Sequence, residues 1–233
     1  GDFYIEKNSN LNNFLFTIFQ PSNVLNKITI IEGWSKKDLN SELSKYFNEF
    51  YEIPYETIIA DTYFFEKNKS FESFVTHLSD IKTEYLNSFK DNQLSNKFTN
   101  IEIITIGSLL EKEGFDKKDK LRISSVILNR LALNIKLQID ATALFAITNG
   151  DYNLNRKLLL KDLKIDHPFN TYKYYGLPPK PISYVGKETI DIIFENYKTD
   201  FLFYFFNNSL NRHIFSKNYK EHQKKLNEYR KNK

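Results

Sequence analysis

Two glutamates, Glu111 and Glu113, stand two residues apart in the segment Ser108-Leu109-Leu110-Glu111-Lys112-Glu113. The spacing of Ile103, Ile106, Leu109 and Leu110 predicts that this segment ends a helix spanning about 101–113. A glutamate whose pKa is raised by an apolar surround above the roughly 4.3 of the free side chain can give and take a proton at a reacting oxygen. A helix turns about 100° per residue, so the two side chains point about 200° apart and cannot enter one groove together. Glu113 falls within the apolar side of the predicted helix, and Glu111 falls at its margin beside Gly107 and Ser108, small residues that leave room for a ligand. Periodicity does not choose between them, and each taken alone is more often a solvated or salt-bridged helix residue.

Further polar residues lie in segments that loops could bring over one pocket: Gln138, Asp140, Asn170, Thr171, Tyr172 and His213. Such side chains hydrogen-bond sugars well. Each also has a structural reading, Asn170 and Thr171 as turn formers and Asp140 as the cap of the following helix. The histidines at 77, 167, 213 and 222 show no H-E-x-x-H spacing and there is no cysteine, which argues against a zinc or thiolate site. There is no G-x-S-x-G, P-loop or G-x-G-x-x-G, so hydrolase-elbow, nucleotide and dinucleotide chemistry have no support.

The elements that must position these residues read as α+β. A weak internal repeat occupies the first 50 residues, each unit a short strand, a turn and a helix. Phe3-Tyr4-Ile5 precedes a helix with Leu11, Phe14, Leu15, Ile18 and Phe19 on one face, and Ile28-Thr29-Ile30-Ile31 precedes one carrying Leu39, Leu43, Tyr46, Phe47 and Phe50. Ser35 with Asp38 reads as the N-cap of the second helix. Pro21 and Pro54 separate these first elements. Ala60-Asp61-Thr62-Tyr63-Phe64-Phe65 then leads into a long amphipathic helix with Phe71, Phe74, Val75, Leu78, Ile81, Tyr85 and Phe89. After a polar linker at 90–100 and the helix that ends in the glutamates, a helix is predicted over about 117–133, an extended segment over 134–140 and a short helix through Phe145. A helix near 187–196, a strand at 201–206, an extended pair at Ile214-Phe215 and a terminal helix from about 217 complete the chain.

Composition narrows the function classes. The chain has 233 residues, 41% of them hydrophobic, which suits one substantial core or two modest domains. A formal charge of +4, with the two signs interspersed, argues against a nucleic-acid partner. The one dense basic run is Lys224, Lys225, Arg230, Lys231 and Lys233. Methionine is absent even at residue 1, so Gly1 reads as a processing scar and the chain as a piece of something longer. No apolar run approaches the roughly 18 residues of a membrane span.

In order along nearly the whole chain, the segments Ile30-Ile31-Glu32-Gly33-Trp34-Ser35, Ala60-Asp61-Thr62-Tyr63-Phe64-Phe65, Ser108-Leu109-Leu110-Glu111-Lys112-Glu113, Ser125-Val126-Ile127-Leu128-Asn129-Arg130-Leu131, Leu137-Gln138-Ile139-Asp140-Ala141-Thr142, Phe169-Asn170-Thr171-Tyr172, Gly176-Leu177-Pro178-Pro179, Lys198-Thr199-Asp200-Phe201-Leu202-Phe203-Tyr204-Phe205 and His213-Ile214-Phe215-Ser216 carry a likeness. With them the sequence resembles the endolytic murein transglycosylases, or YceG-like proteins. It departs from their pattern at Lys180, Val185, Asn211, Arg212 and Gly114, which bears on loop shape.

The resemblance implies a small LysM-like βα module, residues 1–52, that binds or positions glycan, followed by a mostly helical catalytic domain with short strands, residues 53–233. It implies a lyase acting on the β-1,4 bond between N-acetylmuramic acid and N-acetylglucosamine within peptidoglycan strands, leaving a 1,6-anhydro end and needing no metal or other cofactor. On the resemblance, Glu111 is expected to be the catalytic acid and then base, Glu113 a supporting residue, and Gln138, Asp140, Asn170 and Thr171 the groups that orient the sugar or fix Glu111, with Tyr172 and His213 as weaker members of the set. It further implies anchorage in the inner membrane by a helix preceding residue 1, this part facing the periplasm or cell wall, and penicillin-binding proteins as partners. The alternatives are a catalytically silent glycan-binding scaffold of the synthesis machinery, and a hydrolytic muramidase.

Overall fold

A computed structural model describes residues 2–20 and 22–231. Gly1, Pro21, Asn232 and Lys233 lie outside the described residues, and with them the break expected at Pro21 and the last cation of the basic tail.

The first half of the expected repeat is only partly realised. Residues 3–5 are not a strand; Tyr4 is tied instead to Asn23 by two hydrogen bonds of 2.5 and 2.8 Å. Helix α1 (Leu11–Ile18) follows, capped by the Asn10 side chain, and none of its residues is buried. The second half forms a complete βα unit. Strand β1 (Leu25–Thr29) pairs antiparallel with β2 (Thr62–Glu66), Ile28 opposite Tyr63, and helix α2 (Lys36–Leu43) lies between them in sequence. Alternation along the strands turns Ile28, Tyr63 and Phe65 inward and leaves Phe64 exposed. Ser35 and Asp38 form a capping box, the Asp38 carboxylate accepting from the Ser35 N–H at 2.9 Å. The helix ends at Leu43, and Phe47 stacks on Phe65 beyond it. Strand β2 closes this unit by pairing with β1.

Helix α3 (Phe71–Asn87) buries Phe71, Phe74, Val75 and Leu78. Helix α4 (Asn100–Glu113) begins at a second capping box, Thr99 with Glu102, and is buried along every residue from Ile103 to Leu110. It packs against α5 (Lys117–Ala132), α6 (Asp140–Thr148) and α7 (Lys187–Phe194). Strands β3 (Phe203–Asn207) and β4 (Arg212–Ser216) make an antiparallel hairpin that rests on α5, and α8 (Tyr219–Lys231) covers the hairpin.

The βα unit is stitched to the helices by the extended segment 182–186. The Gly33 N–H donates to Tyr184 O at 2.8 Å, the Tyr184 N–H to Trp34 O at 3.1 Å and the Ala60 N–H to Val185 O at 2.7 Å. One apolar cluster runs from Ile28, Leu39 and Phe74 through Ile106 and Ile127 to Phe215. The architecture is the expected α+β one, a small N-terminal βα unit followed by a mostly helical part with short strands. Among the described residues no helix is long and apolar enough to cross a membrane.

Candidate active site

Helix α4 stops at Glu113 because Gly114 leaves the helical conformation, its N–H still donating to Leu110 O at 2.8 Å. This leaves Glu113 on the wall of a cleft of about 410 Å³ between the end of α4, the segment leading into α6, and the β3–β4 hairpin. The cleft gathers Glu113, Gln138, Asp140, Tyr172, Tyr204 and His213, drawn from positions 100 residues apart in the chain.

The Glu113 carboxyl is held above the ordinary glutamate range, first by burial and next by the negative charge of Asp140. The Tyr204 hydroxyl, His213 and the backbone N–H of Ala141 act in the opposite direction, favouring the carboxylate. Tyr204 donates to Glu113 Oε2 at 3.2 Å, and its phenol is pushed far up by burial and then by Glu113, so it remains a donor. Tyr172 donates to Asp140 Oδ1 at 2.5 Å, its own pKa raised by burial and by Asp140. Burial and Asp140 thus favour the neutral form of Glu113, while the Tyr204 hydroxyl and the Ala141 N–H support its carboxylate.

His213 faces the same cleft from β4. Its Nδ1 lies 2.8 Å from Asp119 Oδ2, in the first turn of α5, and both side chains are largely enclosed. A carboxylate can only accept, so Nδ1 carries the hydrogen of this contact and Nε2 is the ring nitrogen left for the cleft. Gln138 is held with φ +54°, a left-handed backbone that a side chain rarely adopts, and its N–H donates to Thr171 O at 3.1 Å.

Other expected residues lie away from this cleft. Glu111 does not enter the cleft: its side chain is 3% exposed, Oε2 lies 2.6 Å from Lys120 Nζ and Oε1 accepts from the Gly186 N–H at 3.1 Å. Lys120 in turn donates to Thr189 on α7, so Glu111 ties α4 to α5 and α7. Gly107 and Ser108 do not leave space for a ligand. A Cβ on Gly107 would come within 2.6 Å of Val185, and Ser108 accepts from the Ile182 N–H at 3.0 Å while its carbonyl takes the Ser183 hydroxyl. Small residues there admit segment 182–186. Asn170 and Thr171 are buried away from the cleft wall. The Asn170 amide donates to Leu163 O and Ile165 O and its Oδ1 accepts from the Tyr172 N–H, while Thr171 Oγ1 accepts from the Ile139 N–H and bonds Thr142. They hold the loops that carry Gln138, Asp140 and Tyr172.

Sequence reasoning missed Tyr204, Asp119 and Arg130. Arg130, largely buried, also lines the cleft, donating to Leu202 O at 2.6 Å and to Lys136 O and Leu137 O, with its guanidinium over the Phe203 ring. A cation in the otherwise apolar stripe of α5 was the visible signal for Arg130; Tyr204 lay in the family-like run Lys198–Phe205 with no role given to it. Among the described residues no three His, Asp or Glu side chains form a group that could hold a metal ion.

Comparison with known proteins bears on this site. A family model described as the YceG-like family matches residues 1–228. An endolytic murein transglycosylase of Bacillus subtilis is 33% identical over 203 residues, covering 86% of this chain and 55% of the relative. One from Streptococcus pneumoniae D39 is 28% identical over 171 residues, 72% of this chain and 31% of the relative. The chain thus spans about half the length of the first relative and about a third of the second. A crystal structure of a yceG-like protein from Listeria monocytogenes superimposes with a TM-score of 0.70 at 26% identity, over 85% of this chain and 75% of that one.

Proposed function

This chain belongs to the YceG-like family, and from that premise we propose that it is an endolytic lytic transglycosylase of peptidoglycan whose proton-transferring group is Glu113. The observation that carries the reading is the carboxyl of Glu113, raised by burial and lining a cleft rich in sugar-binding groups.

The chemistry follows from one carboxyl acting twice. Protonated Glu113 gives its proton to the glycosidic oxygen as the bond from C1 of N-acetylmuramic acid to that oxygen breaks. The carboxylate so formed is the species that the Tyr204 hydroxyl and the Ala141 N–H stabilise. It takes the proton of the muramyl C6 hydroxyl as that oxygen bonds to C1, which closes the 1,6-anhydro ring and returns Glu113 to its starting state without consuming water. A second carboxylate nucleophile is not required, unlike in most retaining glycosidases. Gln138 and the Nε2 of His213 supply hydrogen bonds to the sugar, and Asp140 keeps the Glu113 pKa high. The LysM-like role of the N-terminal unit, membrane anchorage and penicillin-binding proteins as partners belong to the same proposal.

Mass spectrometry of glycan strands treated with the purified chain tests it. New anhydro-terminated fragments are the expected product. Ends heavier by one water would make the enzyme a muramidase, and no new ends would make it a silent binder.

A further inference from the structure

A second cleft, of about 220 Å³, lies on the other side of the α4–α6 junction, between the start of α2 and the flank of α6. Its floor is apolar, from Ala141, Leu144, Phe145 and Ile182. Its charged groups cancel, Lys37 and Lys112 against Asp38 and Asp151, which gives no advantage to an anionic ligand. Lys37 makes no ion pair among the described residues.

Tyr152 stands at the rim. Beyond α6, Asn149 at φ +52° and Gly150 at φ +80° turn the chain back, so that 151–153 reach the cleft. The Tyr152 hydroxyl donates to Ile147 O at 3.2 Å, which holds the ring, and the residue is 53% exposed with no aromatic partner among the described residues. An aromatic ring held by its own hydroxyl over an apolar floor with donors and acceptors of both signs has the chemistry of a seat for an uncharged sugar.

The two clefts are one residue apart. Lys112 lines this one and Glu113 the other; Ala141 lines this one and Asp140 the other; the Ala141 N–H is turned to the Glu113 carboxyl.

We propose that this second cleft binds an N-acetylglucosamine unit of the same glycan strand beyond the bond that Glu113 cleaves, so that the N-terminal βα unit contributes through Ser35 and Asp38 directly to substrate binding. The proposal rests on the reading of the Glu113 cleft as the cleavage site. An unmodified sugar of the strand suits the balanced charge, its acetyl methyl meets the floor, and its ring face lies on Tyr152.

The test is calorimetric titration of the full chain, in a Glu113→Gln background so that no bond is broken, with the N-acetylglucosamine tetrasaccharide as probe. Tyr152→Ala removes the platform and Leu144→Trp fills the cleft. Each is expected to weaken binding about tenfold. In the otherwise native enzyme each should raise KM for long strands to a similar degree, without the loss of kcat that Glu113→Gln brings. Unchanged affinity in both variants, with melting temperatures showing both folded, overturns the proposal. If the native chain releases no anhydro ends while the variants still lose tetrasaccharide binding, the sugar site stands and the activity assigned to Glu113 falls.

Discussion

Replacing Glu111 and Glu113 separately by glutamine should give opposite phenotypes, and the structure sets the size of each. Glu111 and Lys120 form an ion pair at 2.6 Å with side chains 3% and 14% exposed. Removing one partner of a buried pair costs about 3–5 kcal/mol, because the other charge is left behind. Here the loss is smaller, since Lys120 keeps its bond to Thr189 and a glutamine can still accept from it and from the Gly186 N–H. Glu111→Gln should therefore destabilise by about 2–3 kcal/mol, a fall of about 4–12 °C in melting temperature for a chain of this length. The folded fraction should keep cleaving. Glu113→Gln removes the transferable proton from both halves of the reaction, and acid–base participation contributes about 10²–10⁴-fold, so the rate should fall by about a hundredfold to ten-thousandfold. Its fold should not suffer, since a neutral amide replaces a carboxyl that burial and Asp140 already disfavour in its charged form. The assay is release of anhydro-terminated muropeptides by mass spectrometry, with a melting curve on the same preparations. A stable, inactive Glu111→Gln together with an active Glu113→Gln would refute the assignment.

The raised pKa of Glu113 also has a pH signature. Its folded pKa lies above its unfolded one, so its contribution to stability is present below the unfolded value, about 4.3, and is lost as pH rises through the folded value. Glu113→Gln should then melt with the wild type near pH 4 and above it at pH 8, while wild-type kcat/KM falls on the alkaline side as the acid form is lost; coincident melting curves at both pH values would contradict the raised pKa. Asp119→Asn should lower kcat by about tenfold to a hundredfold by releasing the His213 tautomer, and should cost almost nothing further once His213→Gln is present, so additive losses in the double mutant would count against an effect through His213. Gly107→Ala forces a methyl to within 2.6 Å of buried Val185, and a loss of about 1–3 kcal/mol in a urea melt is expected. Asn170→Ala leaves two carbonyls and the Tyr172 N–H without their partner, and should cost about 2–4 kcal/mol and raise KM as the loop bearing Tyr172 loosens.

Caps and periodicity, being local, were legible in the sequence: the Ser35 cap, the starts of α3, α4 and α5, and the strands β3 and β4, though not their pairing into a hairpin, emerge close to where residue types put them. The choice between the two glutamates was not legible, for a reason that lies in α4 itself. A helix reveals its functional face by periodicity only when one side meets water. All eight residues from Ile103 to Leu110 are buried, so α4 has no wet side, and the margin on which Glu111 was placed is a margin between two packed neighbours. The geometry that sent the two side chains about 200° apart was sound. What it lacked was the identity of each neighbour. One side is taken by α5 and α7, which supply Lys120 and Thr189; the other opens on the β3–β4 hairpin, which supplies Tyr204 and His213 from about 90 to 100 positions further along. The same blindness explains Gly107 and Ser108, where a small side chain marks close approach equally well whether a ligand or another stretch of backbone approaches. Residue type raised the proposal of a proton-transferring glutamate, and only long-range packing could say which of the two stands at a cleft and which is paired with a lysine.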